Sequence, residues 1–148
     1  MIFEVAALLC TGLFTGAALY VSLVEHPARL SCPVEVALAE WRSSYRRATV
    51  MQASLVVASL LSALAAFAVG RGHVVLIGGV LVALNIPVTF GIIMPVNRQL
   101  EDPALDPTDP ITLDLLQRWG RLHWIRTVIS LVAFGILALN ALEVPAQG

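Results

Sequence analysis

Trp119, His123 and Arg126 stand four and then three residues apart, so a helix carrying them presents an indole, an imidazole and a guanidinium on one face. A second imidazole, His26, follows an acid, Glu25, and precedes Pro27; Trp41 and Tyr45 share another helical face, and Asn97 follows Pro95. These side chains can do acid–base work. An imidazole takes a proton, a guanidinium or an amide holds the negative charge left behind, and aromatic rings wall a flat ligand. Plainer readings compete with this one. Trp, Tyr and Arg gather at membrane interfaces whatever the function, and a cation at a helix C-terminus is favourable in itself. Arg126, however, lies inside an apolar run, where an ionisable group marks a functional candidate or one that snorkels to the headgroups. Glu25 is the acid at matching depth expected to pair with it. His26, His123 and Glu25 also form a donor set that can take iron, zinc or copper, and two histidines can ligate a haem. Their spacing matches no ligand motif, and Arg126 one turn from His123 repels a cation. The expectation is therefore no metal and no cofactor, with a transition metal or haem at His26 and His123 as the alternative.

The elements that must position these residues are membrane spans. The chain of 148 residues is 58% hydrophobic and 13% charged, with a mean hydropathy of +0.84. A soluble domain carries about 25% charge. Four runs, about 3–24, 48–69, 74–96 and 122–142, suffice to cross roughly 30 Å of hydrocarbon as helices. The expected fold is all-α, one integral membrane domain over 1–148 forming a four-helix bundle. Net charge is −1, which gives no basic surface for nucleic acid. Cys10 and Cys32 are too far apart along the chain's first helix to bridge, and free thiols are expected. The first run lacks a basic n-region and a cleavage site, so it reads as a span and not a signal peptide.

The link "GRGH", 70–73, makes the middle spans an antiparallel hairpin, whereas the connections 25–47 and 97–121 are long and polar. Val34, Leu38, Trp41, Tyr45 and Ala48 form one helical stripe running into the second span, with Pro33 at the first helical position. Three Asp-Pro pairs mark turns in the later connection, and Asp109 caps a helix beginning at Pro110. Two helices thus extend beyond the bilayer on one side. That side holds Arg29, Arg42, Arg46, Arg47, Arg98, Arg118 and Arg121 against Arg71 alone on the other. The bias places both long connections in the cytoplasm and both termini outside, as in a bacterial inner membrane. In the third run, Pro87 and Pro95 free the carbonyls of Ala83 and Gly91, and a kinked helix of this kind can line a polar cavity, with Thr89 as a local repair. Gly12 and Gly16 suit close packing within the bundle or the seam of a homo-oligomer. GxSxG, HExxH, Walker and GxGxxG motifs are absent from the sequence.

The order "EHP", "WRSSYRRA", "IPVTFGIIMPVNRQL" and "WGRLHWIR" resembles the anthrone oxygenase family, from about Gly12 to Arg126. The resemblance implies a small four-helix membrane protein that oxidises a lipophilic polycyclic substrate, anthrone- or quinol-like, with molecular oxygen. Its matched positions are His26, Trp41, Tyr45, Asn97, Trp119, His123 and Arg126. On that reading His123 is the first choice of base and His26 the second; Arg126 and Asn97 stabilise the oxyanion; Trp41, Tyr45, Trp119 and Glu25 contact the substrate, which reaches them from the lipid. The competing expectation is a non-enzymatic membrane protein that binds a quinone-like or lipid ligand, or a partner subunit.

Overall fold

The computed structural model describes residues 1–70 and 72–143; Arg71, the lone arginine expected opposite the other seven, lies outside the described residues. The fold is all-helical, with four helices long and apolar enough to cross a membrane: α1, Ile2–Leu30; α2, Val34–Ala68; α3, His73–Glu101; and α4, Pro110–Glu143. Each packs chiefly on its two neighbours, α1 on α2 and α4, and α3 on α2 and α4. Large apolar side chains such as Leu13, Leu61, Phe90 and Leu139 face outward, while Thr11, Thr15, Gln52, Ser59, Asn85 and Ser130 are buried. Lipid-facing helices require this inversion, because hydrocarbon solvates Leu as well as a core does and gives a hydroxyl no partner. The buried hydroxyls duly find partners. Thr11 Oγ1 and Ser59 Oγ, 2.7 Å apart, join α1 to α2, and Thr15 Oγ1 donates across to the Ser130 carbonyl on α4 at 3.0 Å.

Two expected helix ends are displaced. The first helix continues past Glu25 to Leu30, and the third runs past Val96 to Glu101. The cause is the same in both. A wide i→i+5 turn, Val21–Glu25 in α1 and Thr89–Ile93 in α3, ends two residues before a proline, Pro27 or Pro95. The extra residue in the turn relieves the clash between the proline ring and the carbonyl of the preceding turn, which has lost its N–H donor, so the helix proceeds. Pro33 stands at the N-cap of α2 with an extended ψ of 142°, one position before the helix it was expected to begin.

Close helix contact involves Gly78 and Gly79 of α3 as well as Gly12, but not Gly16. A Cβ on Gly79 would lie 2.3 Å from the Ala63 Cβ of α2, and one on Gly78 would lie 2.6 Å from the Leu137 side chain of α4. Gly12 abuts only the Phe134 ring, and Gly16 faces open space. The connection before α4 is built from the expected turns. Asp102 Oδ1 accepts from the Ala104 N–H, Asp106 Oδ1 from both the Thr108 N–H and hydroxyl, and Asp109 Oδ1 caps Ile111 at 2.9 Å. The Thr108 donors hold the exposed Asp106 carboxyl below its ordinary pKa. Cys10 and Cys32 are free thiols.

Candidate active site

The wide turn in α1 places Ser22 against α4. Ser22 Oγ lies 3.0 Å from His123 Nδ1 and 2.8 Å from Thr127 Oγ1, and Thr127 reaches the Ala18 carbonyl at 3.3 Å. This chain fixes the imidazole and engages Nδ1, which leaves Nε2 as the nitrogen available to a ligand. His123 is buried, its ring 4.9 Å from the Trp119 ring and tilted 32° to it. Trp119 meets the Trp41 ring edge-on at 5.7 Å, and Trp41 stacks flat on Tyr45 at 4.7 Å. The four rings form a continuous wall across α2 and α4.

Asn97 ties that wall to α3. Its Oδ1 accepts from Trp119 Nε1 at 2.9 Å and its Nδ2 donates to the Tyr45 hydroxyl at 3.0 Å. The amide is fully buried and engaged at both ends, so it positions both rings. With Asn97 donating to its oxygen, the Tyr45 O–H remains free to donate.

Arg126 faces inward, as its register with Trp119 and His123 predicts, but not toward Glu25. Its Nη2 donates to Gln52 Oε1 on α2 at 2.7 Å, its guanidinium lies 5.5 Å from the Phe14 ring centre, and its Nε is buried without a partner. Glu25 is held instead by Arg29, which also bonds Glu40 and reaches Ser44 Oγ at 3.1 Å. The ion pairs found among the described residues join Arg29 to these two acids and Met1 to Glu4; Arg126 is in none of them.

His26 stands behind the wall. Its Nδ1 lies 3.0 Å from Arg29 Nη1, which can only donate, so the ring nitrogen accepts. Nε2 then carries the proton, and it is wedged against Gly120, where even a Cβ would lie 2.4 Å away. Nε2 is buried without a hydrogen-bond partner, the ring lies 5.1 Å from the Trp119 ring at the back of the wall, and it lines neither central cavity. Among the described residues no three of His, Cys, Asp and Glu converge into a metal-ligating group.

Two adjoining cavities share Tyr45, Thr49, Gln52 and Arg126. The smaller, about 30 Å³, is bounded by Trp41, Trp119 and His123, with Glu25 at its edge. The larger, about 120 Å³, runs between α2 and α3 along Ala53, Val56, Asn85, Ile86, Thr89, Phe90 and Met94. It lies where α3 is irregular, at the Leu84 break and the wide turn, as the two prolines predict. Exposed Phe90 and Ile86 form its rim, so it opens on the outer surface between the two helices.

The structure thus gathers all eight expected residues around these cavities or their wall, with Asn97 and His26 behind the rings and not in the cavity lining. Sequence reasoning missed Ser22, Arg29, Gln52 and Thr127, whereas Asn85, at i, i+4 with Thr89 in the kinked third span, was readable as cavity-lining. Glu25 and Arg29 at i, i+4 were a readable signal; the other three are polar residues in apolar runs that only tertiary packing distinguishes.

Four helices apolar enough to cross a membrane enclose an inward-facing guanidinium and an aromatic wall, the architecture of a small membrane protein. The family model for anthrone oxygenase matches residues 41–136, and the chain belongs to the anthrone oxygenase family. Comparison with curated proteins and with solved structures gives no match.

Proposed function

We propose that the protein is a membrane-embedded oxygenase that converts a lipophilic, anthrone- or quinol-like substrate with molecular oxygen. The observation that carries this reading is Arg126: a part-buried guanidinium bonded to a neutral amide, with a buried, unpartnered Nε, at the junction of two cavities. A buried cation without an anion is costly, and an anionic substrate state supplies the missing charge. An anthrone has a methylene activated by a carbonyl across the ring. His123 Nε2 removes one methylene proton; the enolate oxygen is held by Arg126 and by the free Tyr45 O–H. The enolate passes an electron to oxygen, and the radical pair combines at the former methylene. Loss of water then leaves the quinone. The methylene gives up two hydrogens, one oxygen atom becomes the new carbonyl and the other leaves as water. The smaller cavity has about the volume of one water molecule, which suits dioxygen beside the cation. No metal enters this scheme.

The chain crosses the membrane with both termini outside the cytoplasm, and α2 and α4, at 35 and 34 residues, project beyond the hydrocarbon on the cytoplasmic side. Arg29 and Arg42 are poor orientation markers, since Arg29 is buried in ion pairs and Arg42 caps α3 through the Leu100 and Asp102 carbonyls. Arg46, Arg47, Arg98, Arg118 and Arg121 remain exposed and carry the bias.

Oxygen uptake by the purified protein with an unsubstituted anthrone tests the function. Uptake well above spontaneous oxidation, lost in His123→Ala and retained after chelation, is expected. Saturable binding of the anthrone with uptake no faster than buffer would instead make the protein a binder of such ligands. Uptake abolished by chelation would put a metal in the mechanism.

A further inference from the structure

The floor of the larger cavity holds a second unpartnered group. Asn85 is 2% exposed. Its Nδ2 donates to the Val82 carbonyl at 2.9 Å, which fixes the amide orientation, and its Oδ1 is buried with no partner. Nearby, Thr89 already spends its hydroxyl on the Asn85 carbonyl at 2.7 Å. A buried acceptor left open in an apolar segment costs free energy unless a ligand donates to it.

The helix register says where this acceptor lies relative to the cation. Gly79 abuts Ala63 and Asn97 bonds Tyr45, so α2 and α3 keep one antiparallel register along their length. Asn85 therefore lies level with Val57, next to Val56 at one end of the cavity, whereas Arg126 is level with its partner Gln52 and Tyr45 lies beyond it at the other end. Five residues of α2 separate Gln52 from Val57, roughly 7 Å of rise, a span that one fused-ring ligand covers. The two polar ends are thus separated by a mostly apolar groove. A dry cavity of about 150 Å³ holds one benzene ring, so about 120 Å³ seats one edge of a fused-ring ligand, with its remaining faces against Phe90 and Ile86.

We infer that Asn85 Oδ1 is a specificity determinant that accepts a hydrogen bond from a phenolic hydroxyl on the terminal ring of the ligand, distal to the end held by Arg126 and Tyr45. This rests on the oxygenase reading for the identity of the ligand but not for the binding preference itself. A ligand with a hydroxyl there satisfies the acceptor; one with a methoxy group at the same carbon leaves it open.

The test uses two probes, 2-hydroxyanthraquinone and 2-methoxyanthraquinone, and equilibrium binding to the purified protein in detergent. Wild type is expected to prefer the hydroxyl compound roughly tenfold, the size of one buried hydrogen bond. Asn85→Leu, close in volume and apolar, is expected to reduce that ratio to about one while the methoxy compound binds as before. If Asn85→Leu does not fold, Asn85→Ala reads the same ratio. A ratio near one in wild type, or a preference that survives in the variant, overturns the inference, as does failure of both compounds to bind. Oxygen uptake with unsubstituted anthrone on the same preparation separates the two claims. An Asn85-dependent preference without uptake keeps the subsite and sinks the oxygenase reading.

Discussion

At the scale of single residues, the central feature is charge without a counter-charge. Arg126 reaches only Gln52, so its loss should spare ligand binding more than turnover. Arg126→Met is expected to lower kcat about 100-fold, the cost of removing one oxyanion partner, and Arg126→Lys to restore part of it. Steady-state rates beside anthraquinone affinity check this; equal losses in both would make Arg126 a general binding residue. Tyr45→Phe keeps the stack on Trp41 and removes the free hydroxyl. It should slow turnover roughly tenfold with KM little changed, and an unaltered rate would remove Tyr45 from the oxyanion site. Residue types and spacing made Trp119, His123 and Arg126 legible, because i, i+4, i+7 fixes a shared face before any fold is known. The same reasoning could not assign partners. Glu25 looked the natural acid for Arg126 by depth, but Arg29 lies one turn along the same helix and takes it. Asn97 was legible as a donor by type, but not the two rings, Tyr45 and Trp119, that its amide joins.

At the scale of elements, the site depends on two wide helical turns and one glycine. Proline reads as a stop signal in a sequence, and here it is not one: the turns at Val21–Glu25 and Thr89–Ile93 absorb Pro27 and Pro95 and carry both helices onward. No hydropathy profile distinguishes a helix that ends at proline from one that widens before it. The first turn aims Ser22 at His123, and the second opens the groove beside α2. Gly120 is where α4 receives the His26 ring, since a Cβ there would lie 2.4 Å from it. Gly120→Ala is expected to destabilise the fold by about 2 kcal/mol through overpacking. A thermal midpoint unchanged from wild type would show that the ring can move aside. Arg29 joins the end of α1 to α2 through Glu25 and Glu40. Arg29→Met should cost about 2 kcal/mol, less than a fully buried pair because Glu40 is 45% exposed at its side chain. Denaturation in detergent measures this, and a loss within a few tenths of wild type would make the cluster incidental. Small residues were legible as packing sites in general, but not which ones. Gly12 and Gly16 fit the motif, but only Gly12 meets a neighbour, Phe134, and Gly78 and Gly79 make the closest contacts, which the packing of α3 on α4 and α2 decides.

At the scale of the whole molecule, four spans were legible because lipid imposes one solution on a long apolar run, a hydrogen-bonded helix. The inversion of polarity, with hydroxyls inside and leucines outside, follows from the same constraint and was not legible, since composition does not say which face turns inward. Orientation rests on five exposed arginines. A reporter fused after Gly148 is expected to be active only outside the cytoplasm, and cytoplasmic activity would reverse the assignment. Function is a property of the assembled interior, where residues from all four helices meet: Ser22 on α1, Tyr45 on α2, Asn97 on α3, His123 and Arg126 on α4. The most direct measurement is turnover of an unsubstituted anthrone under ¹⁸O₂ with mass analysis of the quinone. The account predicts one ¹⁸O in the new carbonyl, formed by wild type well above the spontaneous rate and reduced about 100-fold in Arg126→Met. Quinone formed no faster than without protein, or formed equally by the variant, would contradict it.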